Sequence, residues 1–350
     1  MEKISIIGLD LAKHVFQVHA ADAQGRCVLR KQLKRCEVLS FFARLAPCVV
    51  AMEACGTAHY WAREIAKLGH ETRLIPPAYA KAYMKRGKND AIDAEAICEA
   101  AGRPSMRFVP VETMENQAVA MLHRSRDLLI ENRTMLVNAL RSHLAEFGFV
   151  AAKGTGKLPD LIEIVSEAPK EALPAMVRAA LSGFLDAIAL IDAKLAAIEK
   201  QLMAWHKTDA QSKRLDTAPG IGLMGATAFC APVPDPSPFK NGRHLAAWLG
   251  IVPRLGGTGG KTRLMRISKA GDGYLRRLLV LGATSLLRSL KNKTTPLALW
   301  VQGLLARRSK RAVTIALANK LARIAWAIMA KGEAYKPLAA AQLATLAVSA

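Results

Sequence analysis

The first third of the chain alternates short apolar runs with polar turns, a pattern typical of β-strands and short helices. The ADAQG segment at 21–25 predicts a hairpin turn between two of the strands. The predicted elements are, in order, strands at 3–9, 15–20 and 27–33, a helix at 38–45, a strand at 48–53, a helix at 58–68, a strand at 72–75 and helices from residue 78. Three antiparallel strands followed by alternating helices and strands predict an α/β layer with a mixed sheet.

The middle third has a helical pattern. Residues 112–147 predict one long helix in which Leu122, Leu129 and Leu136 recur at every seventh position. Beyond a loop at 153–174, apolar residues keep strict four-three spacing at Val177, Leu181, Phe184, Ile188, Ile191, Leu195, Ile198, Leu202 and Trp205. This seam predicts a coiled-coil helix over about four heptads. It can fold back on the first long helix or pair with another subunit, and we favour a hairpin arm that serves oligomerisation.

The last third is predicted to be mainly helical as far as Lys331. The sequence PGIG at 219–222 lies between two short predicted helices and resembles a helix-hairpin-helix turn, whose glycine amides can hold a phosphate. A plain tight turn between packed helices is the open alternative. The expected domains are an α/β domain at 1–110, a helical coiled-coil arm at 111–210, a basic, mainly helical domain at 211–335 and a frayed tail at 336–350.

Positive charge is concentrated near the end of the chain. The 350 residues carry a formal net charge of +22, and the stretch from Lys240 to Lys331 holds nineteen Lys and Arg residues but only one acid, Asp272. Such a concentration predicts a polyanionic partner, with nucleic acid as the first candidate. A membrane surface is the second candidate, but no basic amphipathic helix with an aromatic face stands out.

Several other features indicate a cytoplasmic protein that does not enter a membrane. The six cysteines show neither a CxxC pair nor zinc-ligand spacing, which predicts reduced core thiols. The apolar run at the N-terminus is too short for a signal peptide. A second apolar run, at 315–329, is interrupted by Lys320 and Arg323.

The stretch from Arg254 to Arg277 joins a glycine-rich loop to a row of cations. Four of the five residues at 256–260 are glycine, which leaves backbone amides open to an anion. The pattern predicts a loop that holds phosphate, and a flexible surface loop beside a solvated basic helix is the open alternative. The cations that we interpret as phosphate contacts are Arg254, Lys261, Arg263, Arg266, Lys269, Arg276 and Arg277.

Two acids come at the ends of predicted strands. Asp10 lies at the end of the first strand, and Glu53 ends the apolar strand CVVAME. Carboxylates at neighbouring strand ends can converge, and two oxygen ligands in one place suit Mg²⁺. Each acid taken alone is also compatible with a polar residue that simply terminates a strand.

A second pair of acids opens a predicted helix. Asp90 and Asp93 lie three residues apart in KNDAIDAEAI, which places both carboxylates near one helix face. Either acid can instead cap the helix, or interact favourably with the helix dipole in the first turn. The order of these four acids across the α/β layer indicates a ribonuclease-H-like domain with a divalent-metal site for phosphoryl chemistry.

Four ordered motifs resemble one family across nearly the whole chain. GLDLAKHVF, MEACGTAHYW, KNDAIDAEAI and the block from LAAWLGIVPR to GGKTRLMRISKAGDGYLRRLLV are similar to those of the DEDD transposases of the insertion-sequence-110 family, relatives of the Piv DNA invertases. The resemblance implies a RuvC-like domain with the tetrad Asp10, Glu53, Asp90 and Asp93, Mg²⁺, and a catalytic serine in the later domain that links covalently to DNA. It also implies a noncoding bridge RNA that pairs with donor and target DNA, and dimers that assemble into a tetramer.

The chain departs from the family at the serine. The family usually has Ser-(Ser or Thr)-Gly-Gly-Lys before RISK, and Gly257-Thr258-Gly259-Gly260-Lys261 stands here. Thr258 is the hydroxyl beside that position, although its β-branch restricts how it can approach a phosphate. Ser268 belongs to RISK, where a structural role is expected. We therefore expect a transposase or site-specific recombinase, with a RuvC-like nuclease that uses water, or a catalytically impaired nucleic-acid-binding relative, as alternatives.

Overall fold

The alternating pattern of the first third forms a five-stranded mixed sheet in the computed structural model, which describes residues 4–83, 90–257 and 263–337. The chain divides into two units, Met1–Glu115 (unit 1) and Asn116–Ala350 (unit 2). Unit 1 contains β1 (Ile6–Leu11), β2 (Val15–Ala21), β3 (Cys27–Lys34), α1 (Val38–Phe42), β4 (Val49–Glu53), α2 (Ala58–Ala66), β5 (Glu71–Ile75), α3 (Pro77–Ala80) and α4 (Asp90–Ala101). The predicted order of strands and helices is confirmed.

The sheet has the strand order β3-β2-β1-β4-β5. β2 is antiparallel to β1 and β3, whereas β4 is parallel to β1 and β5. The mixed sheet that the sequence predicted is therefore present, and the α/β arrangement is consistent with a ribonuclease-H-like fold. Ile7, Leu9, Val50 and Met52 on one face pack with α1 and α2, where Phe42 and Trp61 are buried.

Unit 2 is mostly helical. Its elements are α5 (Met114–Glu146), α6 (Leu158–Glu167), α7 (Ala175–Thr208), α8 (Ala210–Asp216), α9 (Gly222–Cys230), α10 (Gly242–Trp248), β6 (Pro253–Gly256), β7 (Arg263–Ile267), α11 (Gly273–Ser289), α12 (Pro296–Leu305) and α13 (Lys310–Lys331). The predicted end of the first domain at residue 110 stays a prediction. The further domain division near residue 210 stays a prediction, and most of the expected frayed tail, residues 338–350, lies outside the described residues.

The two long helices α5 and α7 lie antiparallel. Arg126 pairs with Glu199 at 2.7 Å and Arg133 with Asp192 at 2.5 Å, so the pairs follow one antiparallel register. Seam residues of α7 share clusters with α5: Leu181 and Ile188 with Val137, Leu140 and Leu144, and Leu202 with Val119. The seam thus folds back on α5 within the chain, which is one of the two arrangements that the sequence left open. The coiled coil and the oligomerisation role stay predictions.

The second core of unit 2 is built around α13. Leu317, Leu321 and Ala325 of this helix are fully buried with residues of α9, α10 and α11. Among the described residues α13 is the one helix long and apolar enough to span a membrane by length and composition. Its place in this core accounts for that apolar composition. The PGIG turn joins α8 to α9 as predicted and packs closely on α11, because a Cβ on Gly282 would lie 1.8 Å from the Gly220 carbonyl oxygen.

One open alternative and one expectation are corrected here. Arg263 and Arg266 do not lie on the basic helix of the alternative reading: β6 and β7 form an antiparallel two-stranded ribbon, and α11 begins only at Gly273. Strand β7 therefore places Leu264 and Arg266 on one face and Arg263, Met265 and Ile267 on the other, because successive side chains of a strand alternate. The cysteines are all free, but Cys27 and Cys36 are exposed rather than in the core, since β3 is an edge strand and Cys36 follows it.

Candidate active site and nucleic-acid interface

The sheet register places Asp10 and Glu53 on the same face. β1 and β4 are parallel with Leu9 opposite Met52, so the next residues, Asp10 and Glu53, follow side by side. Successive side chains of a strand point to opposite faces. Since Leu9 and Met52 belong to the core with α1 and α2, the two acids belong to the other face.

Helix α4 covers that other face. A Cβ on Gly8 would lie 2.1 Å from the Ala94 carbonyl oxygen, so only glycine allows the helix backbone to come this close to β1. Ala51 of β4 also clusters with Ile97 of α4. Asp93 lies in the first turn of α4, which begins at Asp90 as the sequence predicted. The side chain of Asp90 lies outside the described residues.

Electrostatics links Glu53 to Asp93. The pKa of Glu53 is raised above its ordinary value, first because burial disfavours the carboxylate and second because the charge of Asp93 is near. A cation would relieve this repulsion, and carboxylate oxygens are the ligands that Mg²⁺ prefers. Within the described part of the chain, however, no three Asp, Glu, His or Cys side chains come close enough to hold one metal ion.

The β6–β7 ribbon presents cations and apolar side chains to solvent. Arg254, Arg263 and Arg266 are all exposed. Leu255 lies opposite Leu264 across the ribbon, and each side chain is 71% exposed. A two-stranded ribbon is only marginally stable in water by itself, and these two leucines pair with each other without being buried.

The ribbon ends beside the predicted nucleophile. Gly257 has a φ of 152°, a backbone conformation that L-residues rarely adopt. A serine at this position would therefore require the backbone to change. Thr258 and Lys261 lie outside the described residues, so the predicted phosphate-holding loop at 256–260 stays a prediction.

The RISK segment that follows β7 is held by backbone hydrogen bonds. The Ser268 amide donates to the Val252 carbonyl at 2.9 Å, and the Lys269 amide donates to the Gly250 carbonyl at 3.0 Å. Lys269 has a φ of 56°, which fixes a tight turn there. These contacts agree with the expected structural role for Ser268. The exposed side chain of Lys269 leaves its phosphate role as a prediction.

The two arginines at the start of α11 contact the protein itself. Arg276 donates to the carbonyls of Leu249 at 3.0 Å and Gly271 at 3.2 Å. Arg277 forms an ion pair with Asp127 of α5, and its guanidinium lies 5.3 Å from the centre of the Tyr274 ring. These contacts orient the end of the RISK turn. A phosphate contact by either arginine stays a prediction.

A buried hydrogen-bond chain ties α11 to α5 and α9. His123 is 3% exposed, and its Nδ1 and Nε2 lie 2.9 Å from the Tyr274 hydroxyl and 3.0 Å from Thr227 Oγ1. Thr227 donates its own hydroxyl to the Leu223 carbonyl at 2.8 Å. The chain is therefore satisfied when neutral His123 donates from Nε2 to Thr227 and accepts from Tyr274 at Nδ1.

Burial lowers the pKa of His123 to about 4, with Arg126 as the second cause. The ring is therefore neutral at pH 7, as its hydrogen bonds require. The sequence did not predict this chain of hydrogen bonds, because the position of a histidine in a helical pattern does not show which residues its ring contacts. Nor did it predict the Leu255–Leu264 pair, since neither segment was expected to form a strand.

Comparison with known proteins matches both units. A family model described as "Transposase IS116/IS110/IS902 family" matches residues 212–296, and a model for DEDD transposases of the IS110 type matches residues 7–149. A probable family 20 transposase of Pseudomonas aeruginosa is 49% identical over 95% of this chain and 99% of its own length. The transposase for insertion sequence element IS1328 of Yersinia enterocolitica is 40% identical, over 96% and 99% of the two chains. The corresponding protein for IS1111A of Coxiella burnetii is 38% identical, over 96% and 92%.

We expect the neutral state of His123 to make stability depend on pH. Its folded pKa lies below its ordinary value of 6.5, so its contribution is complete above pH 6.5 and is lost as the pH falls towards about 4. In His123→Gln, which keeps hydrogen-bonding atoms but does not titrate, we expect this component, up to about 3 kcal/mol, to be absent. Urea unfolding across this pH range measures it.

The matched control for this measurement is His143→Gln, an exposed position on the same helix. We expect the control to follow the pH dependence of the unaltered protein. If His123→Gln also follows it, His123 is not held neutral by its surroundings.

Proposed function

Since this chain belongs to the IS116/IS110/IS902 family of transposases, we propose that it moves an insertion sequence by Mg²⁺-dependent DNA strand exchange in the cytoplasm. The observation that carries the proposal is that Asp10, Glu53 and Asp93 all belong to the α4 side of the sheet. There Asp10 and Glu53 follow each other on adjacent parallel strands, and Asp93 raises the pKa of Glu53.

The tetrad Asp10, Glu53, Asp90 and Asp93 would hold the metal. Its oxygen-only donor set fits Mg²⁺, and the repulsion between Glu53 and Asp93 is what a bound cation offsets. When bound, Mg²⁺ neutralises charge that develops on a phosphate during displacement. The register of β1 and β4 and the close packing of α4 support this role, because they would orient Asp10, Glu53 and Asp93 before DNA arrives, so that little rearrangement would be needed.

The hydroxyl of Thr258 is the proposed nucleophile. Its oxygen would attack a DNA phosphorus and give its proton to water, the bond from phosphorus to the departing sugar oxygen would break, and that oxygen would take up a proton from water. The result is a covalent threonine–DNA phosphodiester that a second DNA hydroxyl can later displace. Lys261, Arg254 and the backbone amides of the glycine loop would neutralise charge on the attacked phosphate.

The ribbon is the proposed DNA-contacting element beside this loop. Two-stranded ribbons enter DNA grooves, and Arg254, Arg263 and Arg266 are exposed to meet phosphates. The exposed Leu255–Leu264 pair suits apolar contact with sugars and base edges in a minor groove. Lys269, Arg276 and Arg277 would add phosphate contacts at the start of α11. Such phosphate contacts give affinity but not sequence specificity. Base pairing between DNA and a bridge RNA would supply the specificity.

Gly257 favours a second candidate function. Glycine supplies no hydroxyl, and its φ of 152° disfavours the serine expected there. A RuvC-like nuclease would use the same four acids with water as nucleophile and would leave DNA ends free of protein. A relative that binds nucleic acid without catalysis would perform neither reaction.

An arm-mediated assembly of dimers into a tetramer is part of the proposal. After α7 folds back on α5, a second row of apolar side chains stays exposed on α5 at seven-residue spacing: Met114, Met121, Leu128 and Met135. A row with this period fits against a second long helix. A second copy of the arm offers such a helix.

We expect Asp93→Asn to reduce strand exchange at least about a hundredfold while DNA binding is kept, because it removes a metal ligand and not a phosphate contact. Asp10→Asn should behave alike. Recombination of two DNA sites by the protein with its RNA and Mg²⁺ measures the effect. The control is Glu99→Gln, on the same helix as Asp93, which breaks an exposed ion pair with Arg103 beyond the helix end. Full exchange by Asp93→Asn would refute the metal role.

A comparison of four proteins identifies the nucleophile through covalent protein–DNA adducts. We expect the unaltered chain to form an adduct that Thr258→Ala abolishes. Gly257→Ser adds the missing hydroxyl, and Gly257→Ala is its control because it imposes the same backbone change without a hydroxyl. An adduct in Gly257→Ser alone means that the nucleophile is lost in this chain. Cleavage with no adduct in any of the four favours the water-using nuclease.

Replacing Met121 and Leu128 by lysine should weaken assembly, because it places charges within the exposed row of α5. Mass measurement of the protein over a range of concentrations detects the change. Lys194→Gln with Lys200→Gln, at exposed sites on α7, is the control. An unchanged assembly in the Met121 and Leu128 variant would assign oligomerisation to another surface.

A further inference from the structure

A groove runs along α13 in unit 2, apart from the ribbon in sequence. Its larger part, about 780 Å³, lies between the start of α10 at 241–243, α13 from Lys320 to Lys331, and the segment 333–337. A smaller part, about 360 Å³, continues past the α8–α9 turn and the start of α12. The two parts meet at Lys320, Tyr335 and Pro337. A groove made of two adjoining parts suits a chain-like ligand better than a small ion.

Cations in this groove, which we call the α13 groove, outnumber its acids. Arg243, Lys320, Arg323, Lys331 and Lys336 line the larger part, and Lys293 lines the smaller part. Glu333 is the one acid that lines it, and it pairs with Lys336 at 2.9 Å and lies near Lys331. Within the described structure, Arg243, Lys293, Lys320 and Arg323 form no ion pair with an acid.

Lys320 lies where a cation is costly unless an anion is near. It is half-buried at the junction of the two parts, with Nζ 4.8 Å from the centre of the Trp300 ring. Burial lowers the pKa of Lys320, and the charge of Arg323 lowers it further. An anion bound between these two residues would offset both effects.

The walls are suited to the parts of a nucleotide other than phosphate. Trp300, Trp326 and Tyr335 line the groove with apolar and aromatic surface, and Tyr335 is fixed there by its amide, which donates to Thr217 Oγ1 at 2.8 Å. Grooves that bind single-stranded nucleic acid usually combine cations that contact the phosphates with aromatic side chains that stack on the bases. A small free anion would use only one end of it.

We propose that the α13 groove binds the phosphodiester backbone of one nucleic-acid strand, with Lys320 and Arg323 holding phosphate at its centre and Arg243 and Lys293 towards its ends. This inference rests on the proposed function, because it supplies a second contact surface to a protein that acts on DNA. It adds a site separate from the acid face and the ribbon.

Salt dependence of binding tests the proposal. Each phosphate contact contributes about 0.9 to the slope of log K against log salt for duplex DNA and about 0.7 for single strands. Lys320→Gln with Arg323→Gln should therefore reduce the slope by about 1.8 or about 1.4. The probes are a random-sequence DNA duplex, one of its single strands and an RNA hairpin, each followed by fluorescence anisotropy with the full chain. The probe whose slope falls identifies the strand that the groove binds.

Two further variants keep the test decisive. Lys194→Gln with Lys200→Gln removes the same charge from exposed sites on α7 and should leave the slope nearly unchanged. Arg243→Gln with Lys293→Gln changes only exposed positions, so it gives an answer even if the substitution at half-buried Lys320 disturbs folding. The proposal is overturned when the folded groove variants keep the original slope with all three probes, or lose no more than the α7 control.

Strand exchange is measured on the same proteins, so the two ideas fail separately. If the protein performs strand exchange but the groove variants keep their salt slopes, the groove proposal is refuted and the proposed function stands. If the groove variants have reduced slopes but the protein performs no exchange, the proposed function is refuted and the groove proposal stands.

Discussion

The close approach of α4 to the sheet at Gly8 is the constraint on which the acid face of unit 1 depends. The helix backbone comes so near to β1 that no larger residue fits, and this brings Asp93 within electrostatic reach of Glu53. The parallel register of β1 and β4 adds Asp10 beside Glu53. Two carboxylates near each other at a partly buried place cost stability, which is a reason to expect a cation there.

Unit 2 shows a different means of fixing a surface. The neutral His123 links α5, α9 and α11 through two buried hydrogen bonds, and Arg276 and Arg277 hold the first turn of α11 by contacts within the unit. The RISK turn leads directly into that helix. The ribbon therefore extends from a part of unit 2 that is held by these contacts. Leu255 and Leu264 of the ribbon are exposed and do not pack in a core.

The positions of the cations in the fold show which surfaces carry the positive charge. The excess of Lys and Arg between Lys240 and Lys331 lies on two surfaces: the ribbon together with the start of α11, and the α13 groove. Some cations are engaged within the protein, as Arg276 and Arg277 are, while Lys320 and Arg323 lie beside each other with no described acid partner. Net charge alone predicted a polyanion but not which residues meet it, because that depends on the contacts each side chain makes in the fold.

The sequence by itself determined the strands and helices of unit 1, the long helices of the arm and the position of Asp93 in a first helical turn, because these follow from local periodicity and capping. Ordered motifs also determined the family. Only the tertiary structure decided that the α7 seam folds back on α5, that the basic stretch forms a ribbon, and that Glu53 interacts with Asp93. The first and last of these features arise between residues far apart in the chain, and the ribbon depends on pairing between two short segments. Local pattern does not show which segments will pair or which distant surfaces will bury one another.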